Sequence, residues 1–288
     1  MSGKPSLAGP ELIQFLSRPI EPVPTGLRPV LPDIPGIRCV LFDVYGTLVA
    51  STGQEPEISN PSYREATLRS LLEDFDIPAP GNVPSLTGQL DTMIAREHEK
   101  AHRRGTAFPE IEIRSLWSEL LQSPRSANLE RLAIAYECLT NPVWPMPGAT
   151  TLIKLLQAQG LVLGIVSNAQ FYTPLLFPAL FGGSLSSLGF AEELCLFSYE
   201  FRSAKPGLTL YETMRDLLSD HGIAVHEALY LGNDTFKDIQ PAAEVGFRTV
   251  LFAGDQRSLQ LPEGHTTLHQ PEAVVTELTQ ITALLSHS

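Results

Sequence analysis

Apolar residues run without a break through Val40-Leu41-Phe42 and stop at a single aspartate, Asp43, with Gly46 and Thr47 close behind. A short apolar run closed by a turn reads as a buried strand, here about 38–43, with a carboxylate at its C-terminal tip. The same pattern returns at 161–166, ahead of Ser167-Asn168, and at 229–231, ahead of Gly232-Asn233-Asp234. Shorter strands are expected near 194–198 and at 248–252. Helical spacing fills the intervals: 149–159 with Gly160 as its C-cap, then about 172–181, 207–220 and 236–245. Strands alternating with helices predict an α/β fold, a doubly wound parallel sheet with right-handed crossovers.

A different pattern holds between Pro61 and Asn141. Leu68, Leu71 and Leu72 share one helix face. A second helix is expected over 84–104. A third, from Pro109, carries Ile113, Leu116, Trp117, Leu120 and Leu121, and a fourth carries Leu129, Leu132, Ala133 and Tyr136. No strand signal interrupts them, so 53–141 reads as an all-helical domain inserted into a core made of 38–52 and 142–288. Residues 1–37 are proline-rich, helical only over 11–17, and read as an extension draped on the core.

Composition narrows the possibilities. The 288 residues are 43% hydrophobic and 18% charged, with a net charge of -12. That is enough chain for a sizeable core. The acidic balance argues against nucleic acid or an anionic membrane as partner. No apolar stretch approaches the roughly 20 residues a membrane span needs, and the start, MSGKPSLAGP, has no signal-peptide core. Cys39, Cys138 and Cys195 show neither a disulfide framework nor a zinc spacing. We expect a cytoplasmic protein acting on a small molecule; oligomeric state is not legible.

The chemistry gathers at strand ends. Asp43, Ser167-Asn168 and Asn233-Asp234 close three strands, and Lys205 precedes a helix. In a parallel sheet these positions face one crevice. A carboxylate there can act as nucleophile, Ser167 and Asn168 can bind an anion, Lys205 can neutralise developing charge, and the acids can hold Mg2+.

These segments carry a resemblance. FDVYGTL, IVSN, the lysine of SAKP and LGNDTFKDIQPA resemble, in order, the four motifs of the haloacid dehalogenase (HAD) superfamily of hydrolases, and the helical insert is similar to that family's cap between motifs one and two. The resemblance covers nearly all of 38–255. It implies a Rossmann-like core whose cap closes over the site, with Asp43 as the nucleophile that forms an aspartyl intermediate. It implies Ser167 and Asn168 as binders of the transferring group, and Lys205 as the bridge between that group and Asp43. It implies Mg2+ held by Asp43, the backbone carbonyl of Val44 and an acid in Asn233-Asp234, with Asp238 pairing with Lys205 or holding a metal-bound water. Thr47 and Tyr45 are candidate substrate contacts, but Thr47 also reads as a turn residue whose hydroxyl supports the Asp43 loop, and Tyr45 as packing at the hinge of the insert with its hydroxyl satisfied.

Two positions depart from the family pattern. Where its phosphatases carry a general acid, this chain has Tyr45, as dehalogenating members do. Where an acid usually follows the fourth-motif glycine, it has Asn233. The retained Asp234 and Asp238 would repel Asp43 without a cation, which favours a metal. The expected function is a Mg2+-dependent hydrolase of a small phosphate monoester. The alternatives are a metal-independent 2-haloacid dehalogenase, and a low-activity or non-enzymatic binding protein. The run Arg96, His98, Lys100, His102, Arg103 and Arg104 reads as a solvated face. Lys100 is a minor Schiff-base candidate, and His221, His226, His265 and His269 read as surface residues.

Overall fold

The computed structural model describes residues 7–52, 55–81, 83–261 and 269–285. The first six residues of the extension, Gly53 and His265 lie outside them. The chain begins with helix α1 (Gly9–Leu16), strand β1 (Cys39–Phe42) and strand β2 (Val49–Ser51). Helices α2 (Pro56–Ser59), α3 (Pro61–Asp74), α4 (Leu86–Arg103), α5 (Ile113–Leu120) and α6 (Ala127–Thr140) follow, then β3 (Val143–Pro145). The rest alternates: α7 (Ala149–Ala158), β4 (Val162–Ser167), β5 (Phe190–Phe197), α8 (Ser198–Phe201), α9 (Thr209–Asp220) and β6 (Ala228–Gly232). It closes with α10 (Gln240–Val245), β7 (Arg248–Phe252), β8 (Ala273–Val275) and α11 (Ile281–Leu284).

Six strands form one sheet in the order β5-β4-β1-β6-β7-β8. Every neighbouring pair is parallel, with Phe42 in register with Ile165 and Leu231. The chain winds from β1 outward to β5, returns to the other side of β1, and winds out again. That reversal opens a crevice at the carboxyl ends of the strands flanking β1. Both faces of β1 are covered, which is why its run is continuously apolar. Cys39 and Leu41 pack with Leu210, Tyr211, Met214 and Leu218 of α9. Val40 and Phe42 belong to the larger core, with Leu152, Ile153 and Leu156 of α7. Burial pushes the Cys39 thiol up to about 12, so it behaves as a small hydrophobe.

The helical insert packs around its own leucines and joins that larger core through Leu68, Leu90, Leu116, Trp117 and Leu132. Trp117 and Tyr136 meet edge to face at 5.3 Å. The helix starts are written locally. Asn60, Ser85 and Ser126 each accept a backbone N–H of the first turn. The chain enters and leaves the insert through β2 and β3, which pair antiparallel as a separate ribbon.

Some elements differ from the sequence reading. The stretch 172–181 is a series of turns closing in a π-helical turn, Phe177–Phe181. Pro174 and Pro178 remove the N–H groups a continuous helix would need. The helix expected over 236–245 opens with a second π-helical turn, Thr235–Ile239. The strand expected at 194–198 begins at Phe190. Strands β2, β3 and β8 were not anticipated. Among the described residues no helix is long and apolar enough to cross a membrane.

Candidate active site

Asp43 follows the last residue of β1, and its N–H continues the ladder to the Leu231 carbonyl at 2.9 Å. It is only 5% exposed. Its Oδ1 accepts from Lys205 Nζ at 2.7 Å and from Ser167 Oγ at 3.0 Å. Among the described residues no hydrogen bond reaches its Oδ2, and Asp43 lines a crevice of about 210 Å³. One oxygen is therefore fixed and the other is presented.

Lys205 is buried and spends all three ammonium protons inside the protein. Besides Asp43 they reach Asp238 Oδ1 at 2.6 Å and the Tyr230 hydroxyl at 3.1 Å. Asp238 Oδ2 accepts the Asp234 backbone N–H at 3.0 Å. Gly232 is required here, since a Cβ would stand 2.5 Å from the Asp238 side chain. The buried set carries two carboxylates and one ammonium. Burial pushes the Asp43 carboxyl up to about 6; the Lys205 charge pulls against that and the Asp238 charge adds to it. Burial works against the Lys205 ammonium, but Asp238 and Asp43 together hold its pKa above the usual lysine value. Burial first, then the Asp238 charge, raises the Tyr230 hydroxyl well above the ordinary tyrosine value, so it stays neutral.

The other expected residues take different places. The Val44 carbonyl accepts backbone N–H groups of Thr47, Leu48 and Val49. It is consumed in the turn after Asp43, which corrects the expectation that it holds a metal. Thr47 is fully buried and donates to Asn233 Oδ1 at 3.0 Å, so it braces the loop as its turn position suggests, which corrects its place among the candidate substrate contacts. Asn233 also donates through Nδ2 to the Ser258 carbonyl at 2.6 Å. Its amide is a clamp between two loops. Gly46, at φ 85°, permits that approach, since a Cβ there would stand 2.6 Å from Asn233 Nδ2. Asn168 lines the crevice, yet its amide bonds the Lys205 main chain, donating to the carbonyl at 3.0 Å and accepting the N–H at 2.7 Å. It positions Lys205. The Tyr45 hydroxyl lies 2.9 Å from Thr173 Oγ1 while the residue lines the crevice.

Asp234 accepts the N–H groups of Phe236 and Lys237 through Oδ1, at 2.8 and 2.9 Å, and so caps the helical turn that carries Asp238. This overturns the electrostatic argument for a metal made from the sequence. The cation between Asp43 and Asp238 is Lys205, and Asp234 faces helix N–H groups. Among the described residues no group of three or more His, Cys, Asp or Glu stands where it could hold a metal. Two carboxylates in the crevice, Asp43 and Asp234, each keep one oxygen outside the hydrogen bonds described. That donor set suits a Mg2+ completed by water and substrate oxygens, and no more.

Two cations at the crevice were missed in the sequence. Lys237 lines it with no partner described for its ammonium, and Arg257 lines it while paired with Glu55 and Asp255, each at 3.3 Å, and bonding the Glu21 carbonyl. Lys237 stands one place before Asp238 and could have been noticed; nothing in the sequence around Arg257 marks it. Most of the basic run is surface, as expected: Arg96 pairs with Glu119, Lys100 with Glu97 and Arg103 with Glu99; His98 departs from it, with its Nε2 buried. Lys100 is exposed, which removes it as a Schiff-base candidate.

No family model matches the chain, and no curated protein matches it. Solved structures do. A 2-haloacid dehalogenase from Pseudomonas syringae pv. Tomato is 18% identical, covering 86% of this chain and 97% of its own, with a TM-score of 0.54. A second protein, described as a dehalogenase, is 18% identical over 88% of this chain and 98% of its own, with a TM-score of 0.51. A HAD phosphatase from Thermococcus onnurineus is 18% identical over 87% and 98%, with a TM-score of 0.49. The chain has the HAD-type fold of these dehalogenases, a Rossmann-like core with a helical insert.

Proposed function

We propose that this HAD-type chain is a hydrolase that moves the phosphoryl group of a small phosphate monoester onto Asp43 and then to water. The observation that carries the reading is the asymmetry of the Asp43 carboxylate. Oδ1 is held by Lys205 and Ser167, and Oδ2 is unshared in a crevice where the ammonium of Lys237 also stands without a described partner. A dianionic group needs cations around it. A carbon–halogen bond would sit better among apolar walls, and this crevice is lined almost wholly by polar and charged side chains.

In this reaction Asp43 Oδ2 attacks phosphorus, the bond from phosphorus to the ester oxygen breaks, and the alkoxide leaves with its electron pair. Water then attacks phosphorus, the Asp43–phosphorus bond breaks, and phosphate departs with the carboxylate restored. Lys205 stays charged throughout, offsetting negative charge beside Asp43. Mg2+, held by Asp234 with water and substrate oxygens beside the attacking Asp43 oxygen, would supply further neutralisation of the phosphoryl oxygens. Tyr45 supplies no ready proton: burial raises its hydroxyl above the ordinary tyrosine value. The leaving group must accordingly be good or bring its own acid.

The test is phosphate release from p-nitrophenyl phosphate with and without Mg2+, beside Asp43→Asn. Release that vanishes in the variant supports the reading; release that survives it overturns it. A second reading, metal-independent dehalogenation with Asp43 attacking carbon, is favoured by Tyr45 in the general-acid position. Halide release from 2-chloropropionate in EDTA would select it.

A further inference from the structure

A second cavity, about 430 Å³, lies where the helical insert meets the core. Its volume suits a small organic group. Leu90, Ile94, Ile113 and the Trp117–Tyr136 pair wall one part of it. Glu137, near the C-terminal end of α6, lines it together with Tyr172 and Asn141.

Glu137 has neutral partners only. Its Oε1 accepts from Asn141 Nδ2 at 2.8 Å, and the Tyr172 hydroxyl is its other hydrogen-bond partner. Among the described residues it forms no ion pair. Arg64 also lines the cavity and its charge acts on Glu137 from a distance, but its hydrogen bonds go elsewhere, both terminal nitrogens to Asp91 at 3.3 and 3.1 Å and Nε to the Tyr136 hydroxyl at 3.2 Å. The other carboxylate in the cavity, Glu110, is satisfied by Ser198, Gln170 and the Ile111 N–H. A carboxylate this deep ordinarily has a cation or a job; burial holds the Glu137 carboxyl above the usual range. A second group also lacks a partner: His98 Nε2 is buried, lines the same cavity, and makes no hydrogen bond.

Cavity and crevice are neighbours, linked by side-chain hydrogen bonds. Ser51, which lines the crevice, donates to Asn141 Oδ1 at 2.6 Å, and Asn141 donates in turn to Glu137. Tyr45 and Tyr172 continue the same wall.

We propose that this cavity takes the ammonium end of the substrate, with Glu137 as its counter-charge, the aromatic faces of Trp117, Tyr136 and Tyr172 around it, and His98 Nε2 as a further acceptor. The inference rests on the phosphoryl-transfer reading and narrows it to phosphate monoesters bearing an amine at the far end of an apolar linker. The linker lies along the Leu90–Ile94–Ile113 wall. Aromatic faces add to the attraction of a cation that has left water.

The experiment compares ω-aminoalkyl phosphates, ethyl through hexyl, with the matching n-alkyl phosphates. A charge-assisted contact of this kind should give an amine preference in kcat/KM of about tenfold to a hundredfold at the best chain length. Glu137→Gln should collapse that ratio to about one. Ile94→Trp, which fills the cavity without touching the charge, should collapse it as well and guards against a Gln variant that fails to fold. Turnover of both series at equal efficiency overturns the amine site and leaves the Asp43 reading standing, as does a preference that persists in Glu137→Gln. Turnover of neither series counts against the Asp43 reading. In that case binding of hexylamine against hexanol, followed by protein-observed NMR, decides the inference. Amine-selective shifts lost in Glu137→Gln support it, and equal binding or none overturns it.

Discussion

Asp43 is held in a state that costs stability. Its carboxyl is pushed from 3.8 up to about 6. The folded protein thus binds that proton more tightly than the unfolded chain does. Ionised Asp43 weakens folding above about pH 6, and that penalty fades as pH falls toward 4. Asp43→Asn should therefore raise Tm at pH 7.5, by an amount equivalent to roughly 1–3 kcal/mol, while abolishing turnover; thermal melts across pH check both the sign and the window. By the same titration, kcat/KM without added metal should fall below about pH 6 with the slope of a single proton. Lys205→Met should act oppositely. Removing the one cation leaves Asp43 and Asp238 together and buried, and should destabilise by about 3–5 kcal/mol in urea melts. At this scale Asp43 and Ser167 were legible from strand ends and Lys205 from the loop ahead of α9, while Asp238 came only with the family resemblance. Which atoms Val44, Thr47, Asn168 and Asn233 bond was not legible. Each bond depends on a partner, and the partner of Thr47 is Asn233, far along the chain.

Elements with a full apolar stripe could be read from spacing: α3, α5 and α6 present Leu68, Leu116 and Leu132 to the core as expected. Strands β2, β3 and β8 could not, because three residues give no period to detect. The π-helical turn at Thr235–Ile239 also escaped, though it sets where Asp238 sits. Its start depends on Asp234. Asp234→Ala should remove the cap, cost about 1 kcal/mol, and lower kcat by loosening Asp238. Asp234→Asn keeps an oxygen for the cap while removing the charge. It should retain the wild-type melting temperature and weaken the response of p-nitrophenyl phosphate turnover to Mg2+. An Asn variant whose Mg2+ titration matches wild type would remove Asp234 as a ligand.

The whole molecule is tied together by its N-terminal segment. Leu12 and Ile13 of α1 are buried, and α1 packs on α6 of the insert and on the 177–181 turn of the core. Further on, Val23 donates to Asp255 Oδ1 at 2.9 Å, Thr25 donates to the Ala253 carbonyl, and Val30 pairs with Val274 beside the sheet edge. The sequence showed this stretch as an extension, but proline content alone gave no hint of what it would touch. Deleting residues 1–36 should lower stability by several kcal/mol, since each buried aliphatic side chain contributes about 1.5–3 kcal/mol; denaturant melts of the truncated chain check it. The larger consequence concerns motion. The insert is attached to the core by the β2–β3 ribbon, pinned by α1, and bonded through residues 108–113 to residues 202–204 and to Gln170. A wide swing of the insert, like a door on the ribbon, would require both fastenings to let go. Proteases cutting near Ser17 should thus report each wide opening, and a bound substrate should slow them.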